Sequence, residues 1–421
     1  MILYDIGFFI FSLLYLPTLI FKGKLHRDLG ERFGAYSKDK QAALERCKDT
    51  VWIQAVSVGE VTLCKSLIPM VRERFPGSAI VLSTITKAGN DLAGKLFSKD
   101  AVIIYFPLDF SFTVRKAVSL IRPKIYVMVE TEIWPNLLRE LSARGVRTIL
   151  VNGRISDRSF SKYELARPFL RKTLEGIGAF CMQSETDARR IIALGAPREK
   201  VRVTGTMKFD FDITTAGAGE GMKAVLGLRP GDDLLVAGST HKGEEEAVVS
   251  AFKRLSADFP NLRLLIAPRH VERAGAVAHA VRNAGLMPVR VSKAEGAAAD
   301  GSRVFILDTI GRLNEAFSIA TLVFMGGSLV NHGGQNPLEP AAFGKPVLFG
   351  PHMFNFRGVV DVLMANDAAV QLKEGEDLSE KIASLMNDRN RMRDLGWNAK
   401  RALAANRGVT MRNVEAMQKL A

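Results

Sequence analysis

Glu60 ends the run Val56-Ser57-Val58-Gly59-Glu60, where a strand-like stretch, Val51–Ser57, gives way to a helix. A carboxylate at that point projects from the carboxyl end of a strand into a first helical turn. The helix dipole keeps it ionised, which suits a group that must take a proton. The plain structural alternative is a glutamate that complements the dipole and does nothing more. Glu130 and Glu132 follow a second apolar run, Ile125–Val129. Two acids at the end of a buried strand are costly unless they are paired or face a cleft. Lys208, in Gly205–Asp210, can partner a phosphate or a carboxylate, and so can Arg269, directly after Pro268, through its two-pronged guanidinium. Thr309, Ile310 and Gly311 stand at the end of another strand-like run, Arg303–Leu307.

Met325–Pro351 combines a glycine-rich turn with a helix start. The apolar runs Thr321–Met325 and Pro346–Phe349 flank it, and glycine pairs at 326–327 and 333–334 bracket His332. Asn336 is the expected N-cap, Pro337 the first helical residue, Leu338 the next, and Glu339 lies three after the cap. Pro340 conflicts mildly with a helix, and Gly344 is a plausible stop. Glycines let backbone N–H groups approach a phosphate, and a carboxylate one turn in can take both hydroxyls of a ribose. The alternative is that Glu339 is half of a capping box and the glycines only turn the chain.

Alternating strands and helices must position these residues. In the first half, strand-like runs fall at Val51–Ser57, Ala79–Ser83, Ala101–Tyr105, Ile125–Val129, Thr148–Val151, Gly178–Met182 and Val201–Gly205. Helix-like stretches intervene, among them Val61–Phe75, Ser111–Ile121 and Pro135–Arg144. After a linker-like break at Thr214–Gly221 the alternation resumes, with strands at Leu234–Ala237, Arg263–Ala267, Arg303–Leu307, Thr321–Met325 and Val347–Phe349. Apolar strands separated by helices form parallel sheets covered on both faces, and their ligands bind beyond the strand carboxyl ends. Two such halves facing a cleft are expected.

The 421-residue length fits about two or three domains. The three cysteines are scattered with no CxxC, which argues against a disulfide framework or a cysteine-based metal site and fits a reducing compartment, and the six histidines are dispersed with no HExxH. A net charge of +14 favours an anionic partner. The basic residues are spread evenly without a reading motif, so nucleic acid is not the partner expected; an anionic membrane surface or a phosphorylated substrate is. Ile6–Phe21 is uncharged and apolar, Asp5 precedes it, and Lys22, Lys24, His26 and Arg27 follow. Basic residues on the carboxyl side favour a cytoplasmic body behind an uncleaved anchor or a monotopic helix; a buried core helix is the alternative.

Residues 56–60 (Val-Ser-Val-Gly-Glu), 130–135 (Glu-Thr-Glu-Ile-Trp-Pro), 152–156 (Asn-Gly-Arg-Ile-Ser) and 205–210 (Gly-Thr-Met-Lys-Phe-Asp) form an ordered set of strand-end motifs. The set continues with 239–245 (Ser-Thr-His-Lys-Gly-Glu-Glu), 268–270 (Pro-Arg-His) and 333–339 (Gly-Gly-Gln-Asn-Pro-Leu-Glu). Together they resemble the 3-deoxy-D-manno-octulosonic acid (Kdo) transferases of lipopolysaccharide assembly, over almost the whole chain. The resemblance implies an α/β GT-B glycosyltransferase: an N-terminal membrane-anchor helix (1–22), an acceptor-binding Rossmann-like domain (23–212), a CMP-sugar-binding Rossmann-like domain (213–390) and C-terminal helices (391–421). It implies CMP-Kdo as donor and a lipid A precursor as acceptor, at the cytoplasmic side of the inner membrane, with no cofactor. By the same likeness Glu60 is the proton acceptor, Glu130 and Lys208 support the transition state, and CMP contacts Pro268, Arg269, Thr309, Ile310, Gly311, Asn336, Pro337, Leu338 and Glu339. Arg154 is a candidate partner for the Kdo carboxylate.

The sequence departs from the family at Leu307-Asp308-Thr309-Ile310-Gly311-Arg312, where Arg312 stands in place of a glutamate. Asp210-Phe211-Asp212 has the D-x-D form that other glycosyltransferases use to hold a cation on a diphosphate. A CMP-sugar carries one phosphate, so no metal is expected here. Two rival functions are another GT-B enzyme using a UDP-sugar, such as a hexosamine transferase or epimerase, and a membrane-tethered binding protein.

Overall fold

Val51 and Ile53 point to one side of a strand and Trp52 to the other, and all three are buried. That double burial is why the strands read as continuous apolar runs: helices cover both faces of the sheet. The computed structural model describes residues 4–10, 29–211, 219–294 and 303–420. The chain forms two compact units, Met1–Phe211 with Gly408–Ala421, and Asp212–Arg407, called unit 1 and unit 2 below.

Unit 1 is built on seven strands: β1 (Thr50–Gln54), β2 (Ile80–Thr84), β3 (Val102–Tyr105), β4 (Pro123–Val129), β5 (Arg147–Gly153), β6 (Ala179–Met182) and β7 (Val201–Val203). Their spatial order is β3-β2-β1-β4-β5-β6-β7 and every pairing is parallel. One face buries Trp52, Tyr126, Met128, Leu150 and Phe180. The other buries Ile53, Leu82, Val127 and Val151 beneath the Val58–Arg74 helix.

Unit 2 repeats the plan with β8 (Asp233–Thr240), β9 (Leu262–Pro268), β10 (Pro288–Arg290), β11 (Val304–Ile306), β12 (Leu322–Met325), β13 (Val347–Phe349) and β14 (Val370–Gln371). The order is β10-β11-β9-β8-β12-β13-β14, again parallel throughout. The strand order reverses between β1 and β4 in unit 1 and between β8 and β12 in unit 2. These are the switch points at which open α/β sheets hold their ligands.

The sequence pattern anticipates twelve of these strands and misses the short edge strands β10 and β14. The stretch 391–421 does not stay together. The Arg389–Ala405 helix belongs to unit 2, whereas Val409–Leu420 returns to unit 1 and buries Val409, Val414 and Met417 in its core. Asp210 holds that return: it accepts N–H bonds from Gly408 at 2.7 Å and from Thr410. This is a capping role for the first acid of the D-x-D; Asp212 and residues 214–218 of the expected linker lie outside the described residues.

The expected anchor is mostly outside the described residues as well, since residues 11–28 are not among them. Residues 4–10 form a short helix. Asp5 is taken up by unit 1: it accepts bonds from Ser111 N (3.1 Å), Ser111 Oγ (2.6 Å) and Asn136 Nδ2 (2.7 Å). Among the described residues no helix is long and apolar enough to cross a membrane. The described turn at residues 4–10 is thus tied to unit 1 by the polar contacts of Asp5.

Candidate active site

In unit 1 the switch point gathers the acids. The Val58–Arg74 helix follows β1, and its Glu60 reaches back to Ser57, accepting the backbone N–H at 2.9 Å and approaching the hydroxyl at 3.2 Å. The capping alternative for Glu60 is thus realised, and it also fixes the carboxylate beside the sheet end. Burial, and after it the charge of Glu130, push the Glu60 carboxyl up to about 7, against the pull of the Ser57 N–H. Glu60 is thereby poised to exchange a proton near neutrality.

Glu130 is the first residue past β4 and adopts a left-handed backbone, φ 63°. Asn152, in β5, does the same at φ 54°. Left-handed conformations are uncommon for side-chain-bearing residues and collect at functional sites. The fold holds both: Glu130 N–H bonds Val151 O at 3.0 Å, and Asn152 Oδ1 accepts Met207 N at 3.0 Å. Asn152 Nδ2 lies 3.4 Å from Glu130 Oε1. The Met207 contact sets the turn that carries Lys208, so one asparagine connects two predicted residues, Glu130 and Lys208.

Lys208 feels burial first, which lowers its pKa, while Glu130 and Glu60 raise it and Arg154 lowers it. Glu60, Glu130, Lys208 and Arg154 therefore share one electrostatic field. Glu132 joins them: burial pushes its carboxyl up to about 7, Glu130 adds to the rise, and the Trp134 indole, at 3.1 Å, opposes it. Arg154 N bonds Thr131 Oγ1 at 3.0 Å and Thr131 Oγ1 bonds Arg154 O at 2.6 Å, so the loops after β4 and β5 are stitched together.

In unit 2 the loops after β8, β9 and β12 converge. Arg269, exposed, follows β9 and bonds Thr240 O through its N–H at 2.9 Å. Glu339 is raised by burial, opposed first by Asn336, whose Nδ2 is 3.4 Å away, and then by Arg269. Pro268, Arg269 and Asn336–Glu339 are thus one locality. The helix here is Leu338–Ala342, one residue later than expected, and Pro337 occupies the cap position. Asn336 accepts Leu338 N at 3.2 Å from outside the helix, where Pro337 at the cap and Pro340 within it leave little regular ladder. Thr309, Ile310 and Gly311 follow β11, two strands from the switch. The Thr309 hydroxyl is buried with no hydrogen-bond partner among the described residues. Ile310 is 85% exposed and Gly311 has φ 90°. Arg312, the departure from the family pattern, grips Glu315 with its Nε and Nη2 at 2.8–3.2 Å.

Sequence reasoning missed Glu244, the support beneath this loop. It is fully buried and accepts four backbone N–H bonds, from Gly327 (2.6 Å), Ser328 (2.9 Å), Leu329 (2.9 Å) and His241 (2.8 Å). In a run of three glutamates at a helix start nothing distinguishes it. Gly326 completes the arrangement: a Cβ there would meet Ser239 O at 2.5 Å, so only glycine allows the loop to lie against the end of β8.

Comparison with known proteins gives this geometry a family. Residues 27–211 match a family described as 3-deoxy-D-manno-octulosonic-acid transferase (kdotransferase), and residues 239–402 match glycosyl transferases group 1. A 3-deoxy-D-manno-octulosonic acid transferase of Haemophilus influenzae is 30% identical over 412 residues, 96% of this chain and 94% of that protein. The chain belongs to the Kdo transferase family. The Bordetella pertussis member of this Kdo transferase family is 30% identical over 378 residues, 87% of this chain and 86% of its own. A glycosyltransferase structure from Rickettsia africae superposes with a TM-score of 0.59 at 12% identity, covering 89% of this chain and 99% of that one. Acinetobacter baumannii MurG gives 0.59 at 12% identity, with 88% and 100% covered. At that identity these two show the fold alone, a pair of parallel-sheet α/β domains of the GT-B kind. The protein is a glycosyltransferase of the Kdo transferase type.

Proposed function

We propose that this Kdo transferase moves Kdo from CMP-Kdo to a sugar hydroxyl of a lipid A precursor, lipid IVA, by a single displacement that inverts the anomeric carbon. The observation that carries the reading is the placement of Glu60: the Ser57 N–H holds its carboxyl at the switch point of unit 1, where burial and then Glu130 push it up to about 7. Glu60 takes the acceptor's proton as its oxygen forms the new bond to the anomeric carbon, and the bond from that carbon to the CMP phosphate breaks. Lys208 and Arg154 offer positive charge to the Kdo carboxylate and to the negative charge that grows on the departing phosphate, and Glu130 sets the field around them. In unit 2, Pro268, Arg269, Thr309–Gly311 and Asn336–Glu339 hold CMP, with Glu339 toward the ribose and Arg269 toward the phosphate. No metal enters this mechanism, and Asp210 has its capping role instead.

The acceptor is a lipid, and we place the enzyme at the cytoplasmic side of the inner membrane. An apolar face supports this: Ile6, Phe9, Ile10, Phe33 and Phe112 are 43–62% exposed, and Phe8 and Phe33 pack on Phe110 at 4.9 and 6.4 Å. A surface of this kind beside a basic body suits a monotopic contact with anionic lipid.

The test is transfer from CMP-Kdo to lipid IVA, with the product weighed by mass spectrometry. Glu60→Gln is expected to lower kcat by about 10²–10⁴-fold while CMP still binds. CMP should inhibit and UDP should not. Full activity in Glu60→Gln, or inhibition by UDP in place of CMP, overturns the reading.

A further inference from the structure

Three neighbouring strands of unit 2 each deliver one imidazole to the same end of the sheet. His241 directly follows β8, His270 lies two residues past β9, and His332 rides on the glycine loop after β12. The registers Thr240↔Pro268 and Gly238↔Met325 bring those strand ends side by side. The His241 and His332 rings stack with centroids 4.3 Å apart and planes 21° from parallel, and His270 meets His241 edge-on at 6.2 Å. Gln335 steadies the His241 ring, its Nε2 lying 3.0 Å from the imidazole Nε2. His241 is half-buried, and His270 and His332 are exposed. The transfer chemistry proposed above uses none of these rings.

The arrangement does not suit a cation. Stacked rings keep their nitrogens at their rims and do not converge them on a point, and no group of three metal-competent side chains occurs among the described residues. It suits an anion. Arg269 stands in the same neighbourhood, and the charged groups facing His241 are Arg269, His270 and His332 on one side of the balance and Glu244 on the other. Glu244 already accepts four N–H bonds, and Glu272 lies 3.6 Å from His270. Burial, and after it the neighbouring His332, lowers the pKa of His241 below the usual imidazole range and so favours the neutral ring. An oxyanion placed among these groups would reverse that preference.

We propose that His241, His270 and His332, with Arg269, form an oxyanion subsite of unit 2 that takes up a proton when the phosphate or the sugar carboxylate of the donor binds. The inference rests on the donor reading given above and deepens it: beyond the arginine, the nucleotide sugar is recognised by imidazoles that become charged only when it is present. The proton comes from solvent and leaves with the ligand, so no covalent step is involved. Donor binding should then weaken as pH rises.

Isothermal titration of the full chain tests this, using cytidine, CMP and CMP-Kdo as probes in two buffers of different protonation enthalpy. Wild type is expected to take up a proton on binding CMP or CMP-Kdo and none on binding cytidine. His241→Asn and the exposed His332→Asn should each weaken CMP about tenfold, leave cytidine unchanged and abolish the uptake. If the variants weaken only CMP-Kdo, the oxyanion is the sugar carboxylate and the subsite stands. Unchanged CMP and CMP-Kdo affinities in both variants, with uptake intact, overturn it. If wild type binds UDP and uridine in place of CMP and cytidine, the donor reading fails, and the same variants titrated with UDP decide the subsite separately.

Discussion

Glu60 has two duties that ordinarily compete. It caps its own helix through Ser57, and in the proposed mechanism it must also release and accept a proton. Burial reconciles them by raising the carboxyl to about 7, so the ionised form dominates only on the alkaline side of neutrality. The rate of transfer should therefore climb with pH to a plateau, with a midpoint near 7. Glu130→Gln removes the neighbouring charge that adds to this rise, and a pH–rate profile should show the midpoint moved to lower pH. Stability has the opposite slope. Glu60 and Glu132 titrate near 7 in the folded protein and near 4.5 in an ordinary setting, so the folded state holds extra protons in between. Their contribution is full below that window and is lost as pH rises through it. Urea unfolding at pH 5 and pH 8 should show a stability difference that shrinks in Glu132→Gln. Glu60 and Arg269 were legible in the sequence because Arg269 stands directly after a strand and Glu60 in the first turn of the helix that follows one. Asn152 was legible only as part of a motif, since its task depends on a left-handed backbone and on Met207, fifty-five residues away.

The elements around the glycine loop after β12 depend on one buried carboxylate. Glu244, from the first turn of the Glu244–Leu255 helix, satisfies the amides of Gly327, Ser328 and Leu329 together. Glu244→Ala would leave those N–H groups buried without partners and is expected to cost about 3 kcal/mol or more of unit 2 stability. Chemical unfolding measures this, and CMP affinity should fall with it. Strands β1–β9 and β11–β13 were readable because a strand buried on both faces shows an unbroken apolar run. Strands β10 and β14 are three and two residues long and lie at the sheet edges, where little apolar burial writes itself into the sequence. The helix after Asn336 starts one residue later than the pattern suggests, because Pro337 looks like a first helical residue whereas the Asn336 bond to Leu338 N holds it at the cap.

On the scale of the whole molecule, the strand alternation announced two α/β units, but the path of the chain between them was hidden. The return of Val409–Leu420 to unit 1 rests on Asp210 and on Val409, Val414 and Met417 in the core. An amphipathic segment shows that it buries a face without showing against what. A chain stopped after Arg407 loses those three side chains, each contributing about 1.5–3 kcal/mol by burial. Limited proteolysis is expected to cut unit 1 of that chain much faster than its unit 2, and equal protection of both would contradict the assignment. The same return has a consequence for biosynthesis. Unit 2 is interposed within the coding order of unit 1, so the ribosome completes one unit while the other still lacks its closing helix. Unit 1 must wait, with the surface meant for Val409 and Met417 uncovered, until translation has passed through every residue of its neighbour.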